Sequence, residues 1–493
     1  MSSTSVGQSD QSFKGLLARY EPVIGLEIHC QLSTASKLFC ACKTEFGSLP
    51  NQNTCPLCLG LPGVLPVINK TAVDYAIRMA LAIGATIREK SVFARKQYFY
   101  PDLPKGFQLT QYDLPYCENG SMLLDNGRTV RIERIHMEED AGKNIHGDNA
   151  SYVDLNRAGV PLLEIVSAPD MHSQEEAVDY LKKIHAIVRY LGVSDGNMEE
   201  GSFRCDVNIS LRRRGVEKLG TRTEIKNVNS FKNVERAISY EIMRQADLLD
   251  SGESIRQATL LFDAATGRTS MMRSKEDAPD YRYFPEPDLG PLYISSDRIK
   301  AIAALIPELP EAKKKRFQEA FGIPEADAAQ LTEEAALAAF FEDVVLKVES
   351  KVAPKIVANW INTEFMREFN NRQSSWQKPM LSSDALAELL RYLGDGTISG
   401  KIAKTVFEEM LEKKASAKSI IDAKGLVQIS DTGEINKVVA DIIAQFPDQV
   451  AQHRDGKPKV FGFLVGQVLK VSQGKFNPAL VNQSLKDALD GNA

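Results

Sequence analysis

Strand-like periodicity runs from Tyr20 to about residue 295 of this 493-residue chain and is missing beyond it. A chain ordered in that way folds as an α+β body, with a large mixed or antiparallel sheet and helices, followed by a part built of helices alone. Tyr20–Ser33 alternates, with Ile24, Leu26, Ile28, Cys30 and Leu32 on one face and Val23, Gly25, Glu27, His29 and Gln31 on the other, the two-residue period of a strand. Phe203–Leu211 alternates in the same way. Asn69–Ala82 has helical period and stops at Gly84. Ser173 with Glu176 reads as a capping box opening a helix that Gly192 ends, and Ser230 caps another running to about Leu249. After residue 297, segments rich in Ala, Leu, Glu and Lys are broken by Pro307, Pro310, Pro324 and Pro354 and by Gly394 and Gly396. The expected division is a disordered tail over 1–19, an α+β sheet domain over 20–296, a helical linker domain over 297–352 and a small all-α tail domain over 353–493.

With 43% hydrophobic and 25% charged residues, the chain has the make-up of a folded soluble protein. Collagen-like and broadly disordered chains are excluded. No apolar run reaches the ~18–20 residues a bilayer span needs, and MSSTSVGQSDQSFKG lacks the apolar core of a secretory signal. The expected location is the cytoplasm, with no membrane partner. The formal net charge is −5, from 60 basic and 65 acidic residues, so nucleic acid could be held only by a local patch. One exists between Ala451 and Lys486, where Arg454, Lys457, Lys459, Lys470, Lys475 and Lys486 face Asp455 alone. On charge, a solvated basic helix face is an equally good reading.

Of seven cysteines, Cys40, Cys42, Cys55 and Cys58 are clustered as C-x-C-x12-C-x2-C. Four thiolates satisfy a tetrahedral zinc ion and leave no open position, so such a site is structural. Unrelated buried thiols or a redox pair are the alternatives. The second constellation is Glu27-x-His29, whose side chains project side by side from one strand face. The opposite face is apolar and must meet the core, so these two line a cavity or the surface. Glu138, Glu139 and Asp140 in HMEEDAGK and Asp206 in FRCDVNIS also fall on strand-like segments. Carboxylates with one imidazole suit Mg²⁺ or Mn²⁺; a solvated polar face is the plain alternative. Phosphate loops are absent. The segment Gly63–Thr71 has Asn69 where a P-loop needs its second glycine, and it reads as a turn and N-cap.

The stretches YEPVIGLEIHCQL, PGVLPVINK, RKQYFYPDLPKGFQLTQYD, IHMEEDAGK, VDLNRAGVPLLEIVS, GSFRCDVNISLR, EIKNVNSF, DYRYFPEPD, KGLVQISD and GFLVGQVLK, with the four cysteines, cover nearly the whole chain from Tyr20. In them the chain resembles the B-subunit family (GatB) of the tRNA-dependent amidotransferases. The resemblance implies a carbon–nitrogen ligase that uses ATP and Mg²⁺ to phosphorylate the side-chain carboxylate of Glu mischarged on tRNA(Gln) or Asp mischarged on tRNA(Asn). Ammonia drawn from glutamine then displaces the phosphate. It implies that Glu27, His29, Glu139 and Asp206 hold Mg²⁺ and that Lys96 is a phosphate or channel contact. It also implies that the sheet domain is the family's kinase-like cradle and that the tail binds tRNA, for which Lys457, Lys459 and Lys470 of the basic patch are the expected contacts. It implies as partners an amidase (A) subunit and a small C subunit in a heterotrimer; no Ser-Ser-Lys amidase signature occurs in this chain, so glutamine-dependent work needs a glutaminase partner. A non-catalytic tRNA-binding scaffold is the alternative; loss of any of the four metal residues would have favoured it, and all four are present.

Overall fold

The computed structural model describes residues 13–274, 281–376, 378–427, 432–454, 457, 459–472 and 476–491. The chain divides into two compact units, Met1–Leu309 and Pro310–Ala493.

Among the described residues, the first unit is built on a sheet of twelve strands. Its main path runs Arg268–Ser274, Ala258–Asp263, Thr223–Val228, Phe203–Arg213, Tyr20–Gln31, Pro161–Ser167, Thr129–Glu139, Phe107–Thr110, Ala94–Gln97, Phe284–Pro285. Thr223–Val228 and Ala258–Asp263 are parallel, and the other neighbours along this path are antiparallel. A parallel pair needs a crossover, and helix Phe231–Asp250 supplies it. Tyr20–Gln31 lies between Phe203–Arg213 and Pro161–Ser167, with Glu27 opposite Asp206 on one side and His29 opposite Glu164 on the other.

Ile24, Leu26, Ile28 and Cys30 are fully buried. They share one core with the apolar stripes of helices Lys70–Ala82, Gln174–Tyr190 and Phe231–Asp250. Each of these helices starts at its expected cap. The side chains of Asn69, Ser173 and Ser230 accept hydrogen bonds from first-turn amides, a contribution of ~1 kcal/mol each. The box at Ser173 closes differently from expectation, because the Glu176 carboxylate takes the amide of His172 at 2.7 Å and the Arg128 side chain at 3.0 Å. Residues 13–19 are helical and Leu16 is buried in the sheet core, so the chain is ordered ahead of Tyr20; residues 1–12 of the expected tail lie outside the described residues. Helix Ser296–Ala303 also belongs to this unit. Ile302 packs into its core and the Arg298 guanidinium donates to Asp74 at 2.8 and 2.9 Å.

Among the described residues, the second unit is helical and carries two separate cores. One gathers side chains from Phe317 to Ile421, and the other from Ile435 to Leu489. Val344, Val348 and Val352 share the first of these with Val357, Ile361 and Leu386, so a cut at residue 352 would pass through it. Among the described residues no helix is long and apolar enough to cross a membrane.

Candidate functional site

The helices cover one face of the sheet, and the other face opens at the C-terminal half of Tyr20–Gln31. There Glu27 and His29 project together into a cavity of 370 Å³. Neighbouring strands add side chains in register: Asp206 beside Glu27, Glu164 beside His29, and His136 beside Glu164. His29 Nε2 lies 3.6 Å from Glu164 Oε2 and 3.8 Å from Glu138 Oε1, and His136 Nε2 lies 3.1 Å from Glu164 Oε2. Ligand atoms of His29, Glu138 and Glu164 fall within 4.8 Å of one another, as do those of Glu27, Asp206 and Glu224. Either trio could hold a divalent cation, the first through two carboxylates and an imidazole, the second through carboxylates alone.

The charges are strongly coupled. Burial opposes protonation of His29 and His136, but the Glu164 and Glu138 carboxylates outweigh it and raise both, His136 to about 9. Burial would raise Glu164 as well, yet His136 and His29 hold it well below the usual carboxylate range. Glu27 moves the other way: burial first, then the nearby Glu164 charge, push it up despite a 2.9 Å hydrogen bond from Asn208 Nδ2. A carboxyl raised by burial and like charge is one that a bound cation would relieve. Lys226 Nζ reaches Asp206 at 2.5 Å and Glu224 at 2.8 Å. Lys96 lines the cavity from Ala94–Gln97, its ammonium 4.8 Å from the Tyr281 ring centroid.

The structure brings Glu27, His29, Asp206 and Lys96 to this cavity and keeps Glu139 out of it. Glu138 and Glu139 are consecutive on one strand and point to opposite faces. Glu138 faces the cavity with His136, whereas Glu139 is buried on the other side, paired with Lys105 and accepting from Leu109 N at 3.0 Å. Of the residues named by the resemblance, Glu139 thus lies outside the cavity, and its neighbour Glu138 lines it. Asp140 is occupied by Arg204 at 2.9 and 3.1 Å and by Gln31 Nε2 at 2.7 Å. Sequence reasoning missed Glu164, His136, Glu224 and Lys226 as site residues. The signals were slight. Glu164 is the one acid in the apolar strand PLLEIVS, and His136-x-Glu138 repeats the spacing of Glu27-x-His29.

The four clustered cysteines converge. Cys58 Sγ lies 3.8 Å from Cys40 Sγ, 3.8 Å from Cys55 Sγ and 4.0 Å from Cys42 Sγ. Four sulfurs held tetrahedrally at ~2.3 Å from one ion would stand ~3.8 Å apart, so this cluster fits a structural metal ion. Lys37, 1% exposed, aims its ammonium at the cluster. It donates to Cys58 Sγ at 3.3 Å, Asn53 O at 2.8 Å and Leu155 O at 3.1 Å, which uses all three protons. In the tail, Lys457 and Lys470 are exposed, and Lys459 opens helix Lys459–Val471. Asp455 and Lys475 lie outside the described residues.

The chain combines a strand-built carboxylate cavity, a four-cysteine cluster and a helical C-terminal unit. The pattern of the GatB/GatE catalytic domain matches residues 22–300, and that of the GatB domain matches residues 339–489. The chain belongs to the GatB/GatE family. It is 53% identical over 480 residues to the B subunit of the aspartyl/glutamyl-tRNA(Asn/Gln) amidotransferase of Geotalea daltonii, covering 96% of this chain and 100% of that one. The proteins of the same name from Oleidesulfovibrio alaskensis and Desulfotalea psychrophila are also 53% identical, each across 96% of this chain and 100% and 99% of their own length.

Proposed function

We propose that this chain is the carboxylate-activating subunit of a glutamine-dependent tRNA amidotransferase, working with an amidase subunit and a small third subunit on Glu-tRNA(Gln) or Asp-tRNA(Asn). The observation that carries this reading is the pair of cation-competent trios on adjacent strands, within one cavity that also presents Lys96, Arg134, Arg222 and Lys226. A carboxylate is a poor electrophile, and an acyl phosphate is a good one. Bound Mg²⁺ would supply charge neutralisation at the phosphoryl oxygens, held by His29, Glu138 and Glu164 or by Glu27, Asp206 and Glu224. The chain's own part is to position and screen. Lys96 and Arg134 present positive charge to phosphate, Lys226 orients Asp206 and Glu224, and His136 fixes Glu164 for its role beside His29. The test is ADP formation by the assembled complex, which should depend on both ATP and the mischarged tRNA.

Zinc is the ion we assign to the cysteine cluster, given its all-thiolate donors and closed geometry. About one zinc per chain is expected by elemental analysis. Replacing Cys55 and Cys58 with Ser should abolish it and lower stability more than chemistry. Lys37→Met should leave the four thiols in place but weaken zinc retention against a chelator by about 10–100-fold, the usual range for a lost outer-shell partner. Zinc-free protein with freely reacting thiols would remove the assignment.

The tail is proposed to hold tRNA through its phosphate backbone, with Lys457, Lys459 and Lys470 taking part. Because residues 435–489 have their own core, truncation after Val427 removes them without cutting the core before it. That complex should bind tRNA more weakly and with a flatter salt dependence, by about one unit or less in log–log slope for each phosphate no longer neutralised. Unchanged tRNA affinity at two salt concentrations would assign the tail to assembly of the complex instead.

A further inference from the structure

The carboxylate cavity has an aromatic rim that phosphoryl chemistry leaves unused. Tyr112 and Tyr283, from distant parts of the chain, stack face to face with ring centroids 3.8 Å apart and planes 4° apart. Tyr281 meets Tyr283 edge-on at 6.1 Å, and all three rings line the cavity. One face of Tyr112 is covered by Tyr283, yet the residue is 53% exposed. Its second face therefore lies open to solvent at the mouth.

The fold holds this stack in place from both sides. Next to Tyr112, the fully buried Gln111 donates to Ser91 Oγ at 2.8 Å and accepts from Met137 N at 3.1 Å and Tyr116 N at 3.3 Å. On the other side, Gln97 N donates to Tyr281 O at 2.9 Å. Arg282, between the two tyrosines, has φ +41°, in the left-handed region. A non-glycine residue there costs of order 1–3 kcal/mol and persists only where its surroundings over-determine it, most often at functional sites. Here the unusual backbone joins two rings that both face the cavity. Lys96, Arg134 and Arg222 line the same cavity.

We propose that the Tyr112–Tyr283 stack is the platform for the base of an adenosine nucleotide. The base would lie on the open face of Tyr112, with phosphate running inward to the cations and the carboxylate trios. Every base presents a flat π-face, and aromatic stacking holds it without hydrogen-bond readout. The inference rests on the carboxylate-activating reading above. Two reactants of that reading carry the chemistry: ATP through its adenine, and the tRNA through its 3′-terminal adenosine.

The assembled complex, wild type and with Tyr112→Ala, Tyr112→Phe or Tyr112→Trp, should be assayed for amidation with ammonium as nitrogen donor, varying ATP and mischarged tRNA in turn. Tyr112→Ala should raise one KM about fivefold to a hundredfold, the span of one lost base stack, while Phe and Trp, which keep a flat ring, retain it. A raised KM for ATP assigns the platform to the adenine of ATP; a raised KM for tRNA alone assigns it to the terminal adenosine. Both KM values within twofold of wild type, or a fall in kcat alone, would overturn the platform. Those results leave the activating role standing, provided the unsubstituted complex forms ADP only with mischarged tRNA. Failure of that control would sink the activating role itself, and the platform with it.

Discussion

A complex carrying Glu164→Gln should lose ATP-dependent amidation by about a thousandfold or more. Glu164 touches both imidazoles of the cavity, His29 at 3.6 Å and His136 at 3.1 Å, and belongs to the trio with His29 and Glu138. The isosteric amide keeps the packing and removes the charge that a cation and the two histidines share. Cation stabilisation of a phosphoryl transition state is worth several kcal/mol, and each 1.36 kcal/mol is tenfold in rate. Glu138→Gln should act in the same direction. Glutamine hydrolysis by the partner should survive both changes, losing only its coupling to tRNA. An assay of amide formed per unit time, with either variant within tenfold of wild type, would remove these residues from the site.

The neighbouring residue should behave in the opposite way. Glu139→Leu removes the buried partner of Lys105 and the acceptor of Leu109 N. A buried ammonium left without its carboxylate typically costs about 3–5 kcal/mol, and Lys105 is close to that limit, with its side chain 12% exposed. The denaturation midpoint of the chain should therefore fall well below wild type, while protein that is folded at low temperature keeps its ATP-dependent activity. Equal stability together with lost activity would return Glu139 to the cavity.

This contrast marks how far the sequence could be read. The buried face of Tyr20–Gln31, the caps at Asn69, Ser173 and Ser230, and the switch to helices after the sheet all follow from local periodicity and capping chemistry. Glu27 and His29 were placed by the same argument, since the opposite face is continuously apolar. The run HMEEDAGK offered three adjacent carboxylates, and nothing local says which of them faces the cavity. That phase is set by pairing with Pro161–Ser167, where Leu162 lies opposite Glu138 and Pro161 opposite Glu139. Glu164 and Glu224 become site residues only through the strand order, and the Tyr112–Tyr283 stack only through tertiary packing. Lys37 had no signal at all. Its meaning comes from three acceptors, on Asn53, Cys58 and Leu155, that the fold gathers around one ammonium.

The central claim is that this chain moves a phosphoryl group onto a side-chain carboxylate before nitrogen enters. Isotope transfer tests it most directly. Mischarged tRNA whose side-chain carboxylate carries oxygen-18 is supplied to the assembled complex with ATP and glutamine, and the inorganic phosphate released is examined by mass spectrometry. If the carboxylate oxygen attacks the γ-phosphorus and ammonia then displaces phosphate, one labelled oxygen leaves with each phosphate as each amide forms. Amide formed at the normal rate alongside phosphate free of label would contradict the account.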